Sequence, residues 1–206
     1  MGNYGEVLTY WYLRLNGFFP LANFVLHRVT ENAKASDCDI LAVRFPNVCE
    51  EVGGQEKDWD EPFLLKVGRD KKRTLCLIAE VKTGDVSWAN LHEKFSKERL
   101  RYAIRRIGVL YPAQADALAA ELYPLAILSN KTFSIAKVAF IAEEPTGAAV
   151  ASFFVHRLSD VEEFIAKRMK AYAGDKEPDR MFFPDPLIQH FAAKAGVELV
   201  NGQGDS

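Results

Sequence analysis

Apolar positions along this chain recur with two different periods, and the change of period marks out its elements. Residues 3–16 set Tyr4, Val7, Leu8, Trp11 and Leu15 on one stripe at helical spacing, with Asn16-Gly17 as a C-terminal stop. Residues 24–29 read as a strand, and the polar segment 30–36 as a turn. Two further runs have strand character: Asp37-Cys38-Asp39-Ile40-Leu41-Ala42-Val43 and Leu75-Cys76-Leu77-Ile78-Ala79-Glu80-Val81-Lys82. Residues 73–82, which include the second run, pair with residues 63–67 as a predicted hairpin around Gly68-Arg69-Asp70. Ser87 is placed to cap a long helix over 88–107, and a second helix is expected over 113–122. Residues 135–142 and 153–156 predict two more strands. Ser159 to Glu162 has the form of a capping box for a helix to about residue 172. Pro186 stands near the start of a short helix over 185–195.

A chain of 206 residues with 49% apolar content can bury one sizeable core. The expected division is an α/β domain over 1–173, with an acidic insertion at about 46–62. Residues 174–206 follow as a polar connector, a short helix and a frayed tail packed on the same domain. Glu50, Glu51, Glu56, Asp58, Asp60 and Glu61 make the insertion acidic, and it reads as a solvated loop. Lys66, Arg69, Lys71, Lys72 and Arg73 follow as a basic stretch.

The net charge of -2 and pI of about 6.1 do not advertise a nucleic-acid binder. The predicted helix over 88–107 is different: Lys94, Lys97, Arg99, Arg101, Arg105 and Arg106 oppose only Glu93 and Glu98. Lys94, Lys97, Arg101 and Arg105 recur along one side. Such a side is ordinarily a solvated face, and it also suits a phosphate backbone. Cys38, Cys49 and Cys76 are odd in number and lack CxxC spacing, which argues against a disulfide framework and a zinc site. A reducing compartment is the simplest expectation. No run approaches the ~18 apolar residues of a membrane span, and no signal-peptide pattern opens the chain. A cytoplasmic protein with no membrane partner is expected.

Charges in buried strands need partners or a metal. Strand alternation puts Glu80 and Lys82 on one face, and Asp37 and Asp39 on one face of their own strand. If the two strands are neighbours, Asp39, Glu80 and Lys82 converge. Two carboxylates are hard oxygen donors suited to Mg²⁺ or Mn²⁺, and the ammonium suits a phosphate. The same three residues also allow a buried ion pair. Glu6, in the first turn of the first helix and off its apolar stripe, fits the helix dipole as well as a site role. His27, His92, His156 and His190 show no paired ligand spacing.

The order is a helix with Glu6, a strand, the Asp39 strand, the Glu80-Val81-Lys82 strand and a basic helix. It resembles the PD-(D/E)XK nuclease superfamily. Gly2-Asn3-Tyr4-Gly5-Glu6 and Leu13-Arg14-Leu15-Asn16-Gly17-Phe18 look like the first helix of its Holliday-junction-resolvase-like branch. Asp39-Ile40-Leu41-Ala42 looks like the Asp strand of that branch, and Ala79-Glu80-Val81-Lys82-Thr83 like its Glu-x-Lys strand. The resemblance covers about residues 2–107. Cys38 stands where the motif has proline, and a long excursion separates Asp39 from Glu80.

This resemblance implies a restriction-endonuclease-like α/β core, a central mixed sheet flanked by helices on both faces in αβββαβ order, with an inserted loop and extra C-terminal helices. It implies Mg²⁺-dependent hydrolysis of DNA phosphodiesters, with Mn²⁺ able to substitute and junction or branched DNA among the substrates. Asp39 and Glu80 would ligate the metal, with the Val81 carbonyl and Glu6 as further ligands. Lys82 would position the attacking water or neutralise charge. A homodimer follows by the same analogy. The alternative is an inactive member that keeps the fold to bind nucleic acid or protein, the acidic segment 50–61 contacting a basic partner.

Overall fold

The computed structural model describes residues 2–26, 36–51, 53–68, 72–172 and 185–194. Helix α1 (Tyr4–Leu15) opens on Asn3, whose side chain accepts the Glu6 backbone N–H at 3.1 Å. Gly17, at φ +79°, turns the chain out of it. Strands β1 (Phe19–Leu26) and β2 (Ser36–Arg44) come next, then a short helix α2 (Glu61–Lys66) and strand β3 (Thr74–Lys82). Helices α3 (Trp88–Lys94), α4 (Lys97–Ile107) and α5 (Ala115–Leu122) lead to β4 (Ile127–Ser129), β5 (Phe133–Ile141) and β6 (Phe154–Arg157). Helices α6 (Leu158–Ala171) and α7 (Pro186–Lys194) complete the described chain. Among the described residues no helix is long and apolar enough to cross a membrane.

The sheet runs β1-β2-β3-β5-β4, with β6 also on β5. The pairs β1/β2, β2/β3 and β4/β5 are antiparallel, while β3/β5 and β5/β6 are parallel. The parallel step from β3 to β5 needs a crossover, which α3, α4 and α5 supply. Each face carries its own core. Leu8, Tyr12 and Leu13 of α1 join Phe63, Leu64, Val161, Ile165, Ile188 and Phe191 on the first. Leu91, Phe95, Leu100, Ile104, Ala119 and Leu122 cover the second. Strand β3 alternates between them: Leu75, Leu77, Ala79 and Val81 face the first core, Cys76 and Ile78 the second. Burial on both faces explains why β3 and β5 read as unbroken apolar runs. The class is α/β, with a mixed central sheet between helices.

Several expectations need correction. Residues 63–67 are not a hairpin arm. Asp60 accepts the Phe63 N–H at 3.0 Å, Pro62 sits in the first turn, and α2 forms instead. Phe63, Leu64 and Val67 are buried at helical spacing. The acidic insertion is not simply solvated. Tyr12 Oη donates to Asp60 Oδ2 at 2.7 Å, Asp60 N–H donates to Asn16 Oδ1 at 2.7 Å, and Tyr172 Oη donates to Asp58.

The helix expected over 88–107 is two helices. Ser96 adopts extended angles (φ -59°, ψ 153°) between them. A continuous helix would carry the Leu91 and Phe95 stripe on to Glu98, Arg99 and Tyr102, yet Leu100, Ala103 and Ile104 are the buried residues. The break re-phases the stripe. Helix α6 begins at Leu158 with Arg157 at its N-cap, so Ser159 lies inside the helix and forms no capping box. Strand β1 starts at Phe19, five residues before the expected strand. The three-residue strand β4 was not anticipated. The expected turn over 30–36 lies outside the described residues except for Ser36, which already belongs to β2. The hairpin tip at Arg69-Asp70, the connector over 174–180 and the tail over 201–206 lie outside the described residues.

Candidate metal and phosphate site

The β2–β3 ladder ends at the pair Ile40–Ala79. One step further out, Asp39 and Glu80 stand opposite each other. The strands are irregular here. Cys38 joins the second core although Ile40, two residues on, faces the first. The β1–β2 pairing steps from Ala22–Ile40 to Phe24–Cys38, and Asn23 between them has φ +55°, the one positive value among the described non-glycine residues. Asparagine tolerates this conformation better than most residues. The irregularity turns Asp39 sideways, so that its Oδ2 accepts the Val81 N–H at 2.7 Å in place of a ladder bond.

Lys82 closes the cluster. Its Nζ donates to Asp39 Oδ2 at 3.1 Å, to Glu80 Oε2 at 3.2 Å and to the Val81 carbonyl at 2.9 Å. The other Glu80 oxygen, Oε1, accepts Arg99 Nη2 at 3.1 Å. Glu80 is 1% exposed, Arg99 12% and Lys82 25%, so the cluster grades from the core into solvent. Burial and the neighbouring Asp39 charge push the Glu80 pKa up to about 7, against Lys82, Arg99 and Lys94. Burial alone would lower the Lys82 pKa, but Glu80 and Asp39 outweigh it and hold it above the usual lysine value.

Lys82, Val86, Asn90, Glu93, Lys94, Ser96 and Arg99 line a cleft of about 490 Å³ beside these carboxylates. Lys94 therefore stands at the site. Lys97 lies instead with its Nζ 5.3 Å from the Tyr123 ring centre. Arg101 and Arg105 pair with Asp116 of α5 at 3.5 and 3.4 Å. The four cations expected on one side of a single helix are thus divided by the break at Ser96. Glu6 lies on α1, on the first-core side, where its carboxylate accepts Asn3 Nδ2 at 2.8 Å. It borders a different cleft with Tyr10, Ala22, Asn23 and Asp185.

In the sequence Arg99 is one of six cations on a basic helix. The signal that singles it out is the jump of the apolar stripe from Leu91 and Phe95 to Leu100 and Ile104. That jump implies a break, and beyond the break α4 turns Arg99 toward the sheet end. Asp37 is the second residue of β2, and its side chain lies outside the described residues.

Among the described residues no group of three His, Cys, Asp or Glu side chains is placed to share a metal. Two carboxylates and the Val81 carbonyl nevertheless make an oxygen donor set. Mg²⁺ is ordinarily held by one or two carboxylates, with waters and substrate phosphate oxygens completing its shell. The donors present fit that pattern. No protein-family model matches the chain, and neither curated proteins nor solved structures give a match.

Proposed function

We propose that this chain is a metal-dependent nuclease with a restriction-endonuclease-like core, hydrolysing phosphodiester bonds of DNA. One observation carries the reading. Asp39 and Glu80, from adjacent strands, meet on a single ammonium at the mouth of a cation-lined cleft. Buried strands rarely carry such charges without a use for them.

Asp39 and Glu80 would hold Mg²⁺ or Mn²⁺, with the Val81 carbonyl as a further donor. When bound, the ion would polarise the scissile phosphate and lower the pKa of a bound water. The Val81 N–H fixes the Asp39 carboxylate, so its orientation is set before any ligand arrives. In the metal-free site the two carboxylates hold the Lys82 pKa up against burial. Its ammonium would offset charge developing on the phosphoryl oxygens. Lys94, with Lys82 and Arg99, draws the phosphate into the cleft.

The test is incubation of the full chain with duplex, single-stranded and junction DNA in Mg²⁺ or Mn²⁺. Cleavage is expected from the wild type and not from Asp39→Asn or Glu80→Gln. No cleavage by the wild type, or cleavage indifferent to both substitutions, sinks the reading. One observation favours a second reading: Lys82 and Arg99 already neutralise both carboxylates. A catalytically inactive nucleic-acid-binding module would show salt-dependent DNA affinity, no dependence on divalent ions and no cleavage.

A further inference from the structure

We propose that Gly5 is a positioning residue for the candidate metal site. It lets α1 lie against the end of β3, and so holds in place the Val81 peptide to which Asp39 and Lys82 are both bonded. The inference rests on the nuclease reading above and gives a role to a residue that has no side chain to bring to the chemistry.

The end of β3 has less support than the rest of the strand. Its ladder to β2 stops at the pair Ile40–Ala79, while its pairing with β5 runs on to Lys82–Ile141. Beyond that stop, the Val81 N–H donates to Asp39 Oδ2 at 2.7 Å, and the Val81 carbonyl accepts Lys82 Nζ at 2.9 Å. A shift of this one peptide therefore moves the carboxylate and the ammonium together.

The start of α1 packs against this end from the first-core side. A Cβ placed on Gly5 would lie 2.5 Å from Thr83 Cγ2, 3.0 Å from Val81 Cγ1 and 3.1 Å from Leu158 Cδ1. Strand β3, the residue just after it and the start of α6 thus close on one point. Val81 and Leu158 are buried in the first core, where packed side chains have little room to yield. The helix is also tied down: Tyr4 Oη donates to Glu162 Oε1 of α6 at 2.7 Å. A side chain at position 5 therefore presses on Val81 itself. Glycine is a poor helix former, and its place as the buried second residue of α1 is explained by this close approach.

The experiment has two readouts on the full chain. Amide hydrogen exchange by NMR, in EDTA, compares the Val81 N–H with the Leu77 N–H of the same strand. Mn²⁺ affinity comes from the electron paramagnetic resonance of the free ion. In Gly5→Ala, Val81 should exchange about tenfold faster relative to Leu77, and Mn²⁺ should bind about tenfold more weakly. A uniform loss of stability would not single out Val81. Gly84→Ala, whose added methyl has nothing within 4 Å, and Thr83→Ser should each stay within about twofold of wild type. Adding Thr83→Ser to Gly5→Ala removes the shortest of the three contacts and should recover part of both losses.

Either readout at its wild-type value in Gly5→Ala overturns the proposal. So does an equal loss in Gly84→Ala, or a double variant no better than Gly5→Ala. Should Gly5→Ala fail to fold, the double variant is compared with Thr83→Ser on the same two readouts, and wild-type values in either overturn the proposal. The exchange readout needs no metal. The nuclease reading fails separately, if Mn²⁺ binding by the wild type is indifferent to Glu80→Gln.

Discussion

Replacing Glu80 by glutamine asks whether the buried carboxylate is a liability of the metal-free fold or a structural ion pair. Glu80 is 1% exposed, and burial together with Asp39 raises its pKa from 4.5 to about 7. The native state therefore keeps this proton while the unfolded chain has already released it. With more protons bound in the native state, stability falls as pH rises from about 4.5 to about 7. At 1.36 kcal/mol per unit, the shift corresponds to about 3 kcal/mol across that window. Glutamine keeps the shape and the acceptor for Arg99 but cannot ionise. Urea unfolding in EDTA at a series of pH values gives the stability of each protein. The wild-type value minus that of Glu80→Gln should fall by about 2–3 kcal/mol between the two ends of the window. Mg²⁺ added at pH 7.5 should restore stability to the wild type alone, because only the native site binds it. A difference that is flat, or that rises with pH, refutes the reasoning. It would mean that Lys82 and Arg99 give Glu80 more than burial takes away, as in a purely structural ion pair.

Lys137 gives the opposite sign. It is fully buried, its Nζ donates to the Tyr123 carbonyl at 2.7 Å, and burial lowers its pKa to about 8. The native state loses this proton first, so wild-type stability should rise between pH of about 8 and about 10.4 relative to Lys137→Met, by about 3 kcal/mol in urea unfolding. Parallel curves would refute this. Asp60→Ala removes the cap of α2 and the acceptor of the fully buried Tyr12 hydroxyl, and should destabilise by about 2 kcal/mol in the same assay. A loss below about 0.5 kcal/mol would count against the docked insertion. In DNA binding followed by fluorescence anisotropy, Lys94→Ala should reduce the salt slope by about 1. Arg105→Ala should change it less, since Arg105 pairs with Asp116. Equal effects would return both residues to one common surface.

The long elements were legible because both their period and their burial are strong. Helix α1 shows its stripe, its Asn3 cap and its Asn16-Gly17 stop. Strands β3 and β5 show as continuous apolar runs because cores lie on both sides of them. Short elements were not. Residues 63–67 carry five positions, too few to separate a helix from a strand by apolar content alone. The deciding signals lie just upstream, in Asp60 as a cap and Pro62 in the first turn. The break at Ser96 was hidden for a related reason. A run of cations suggested one continuous charged face, while the apolar residues on the other side had already shifted phase. Arg99 lies just past that shift of phase, on the side of α4 that reaches Glu80.

Placing Asp39 beside Glu80 needs a register, and alternation alone does not give one. A slip of a single residue exchanges the faces of every side chain in the moving strand. Because β3 is buried on both sides, either face accepts its leucines, isoleucine, alanine and valine, and apolar burial chooses weakly between the two registers. The charges choose strongly. Slipped by one, Glu80 and Lys82 would turn together toward the first core, away from Arg99 and the second face. In the observed register it meets Arg99 from the second face and Lys82 along its own strand, while Asp39 satisfies the Val81 N–H where the ladder ends. The long excursion between Asp39 and Glu80 therefore does not have to guide the strand home. The residues at its two ends do so, and the cluster that aligns β2 with β3 is the same one that the proposed chemistry requires.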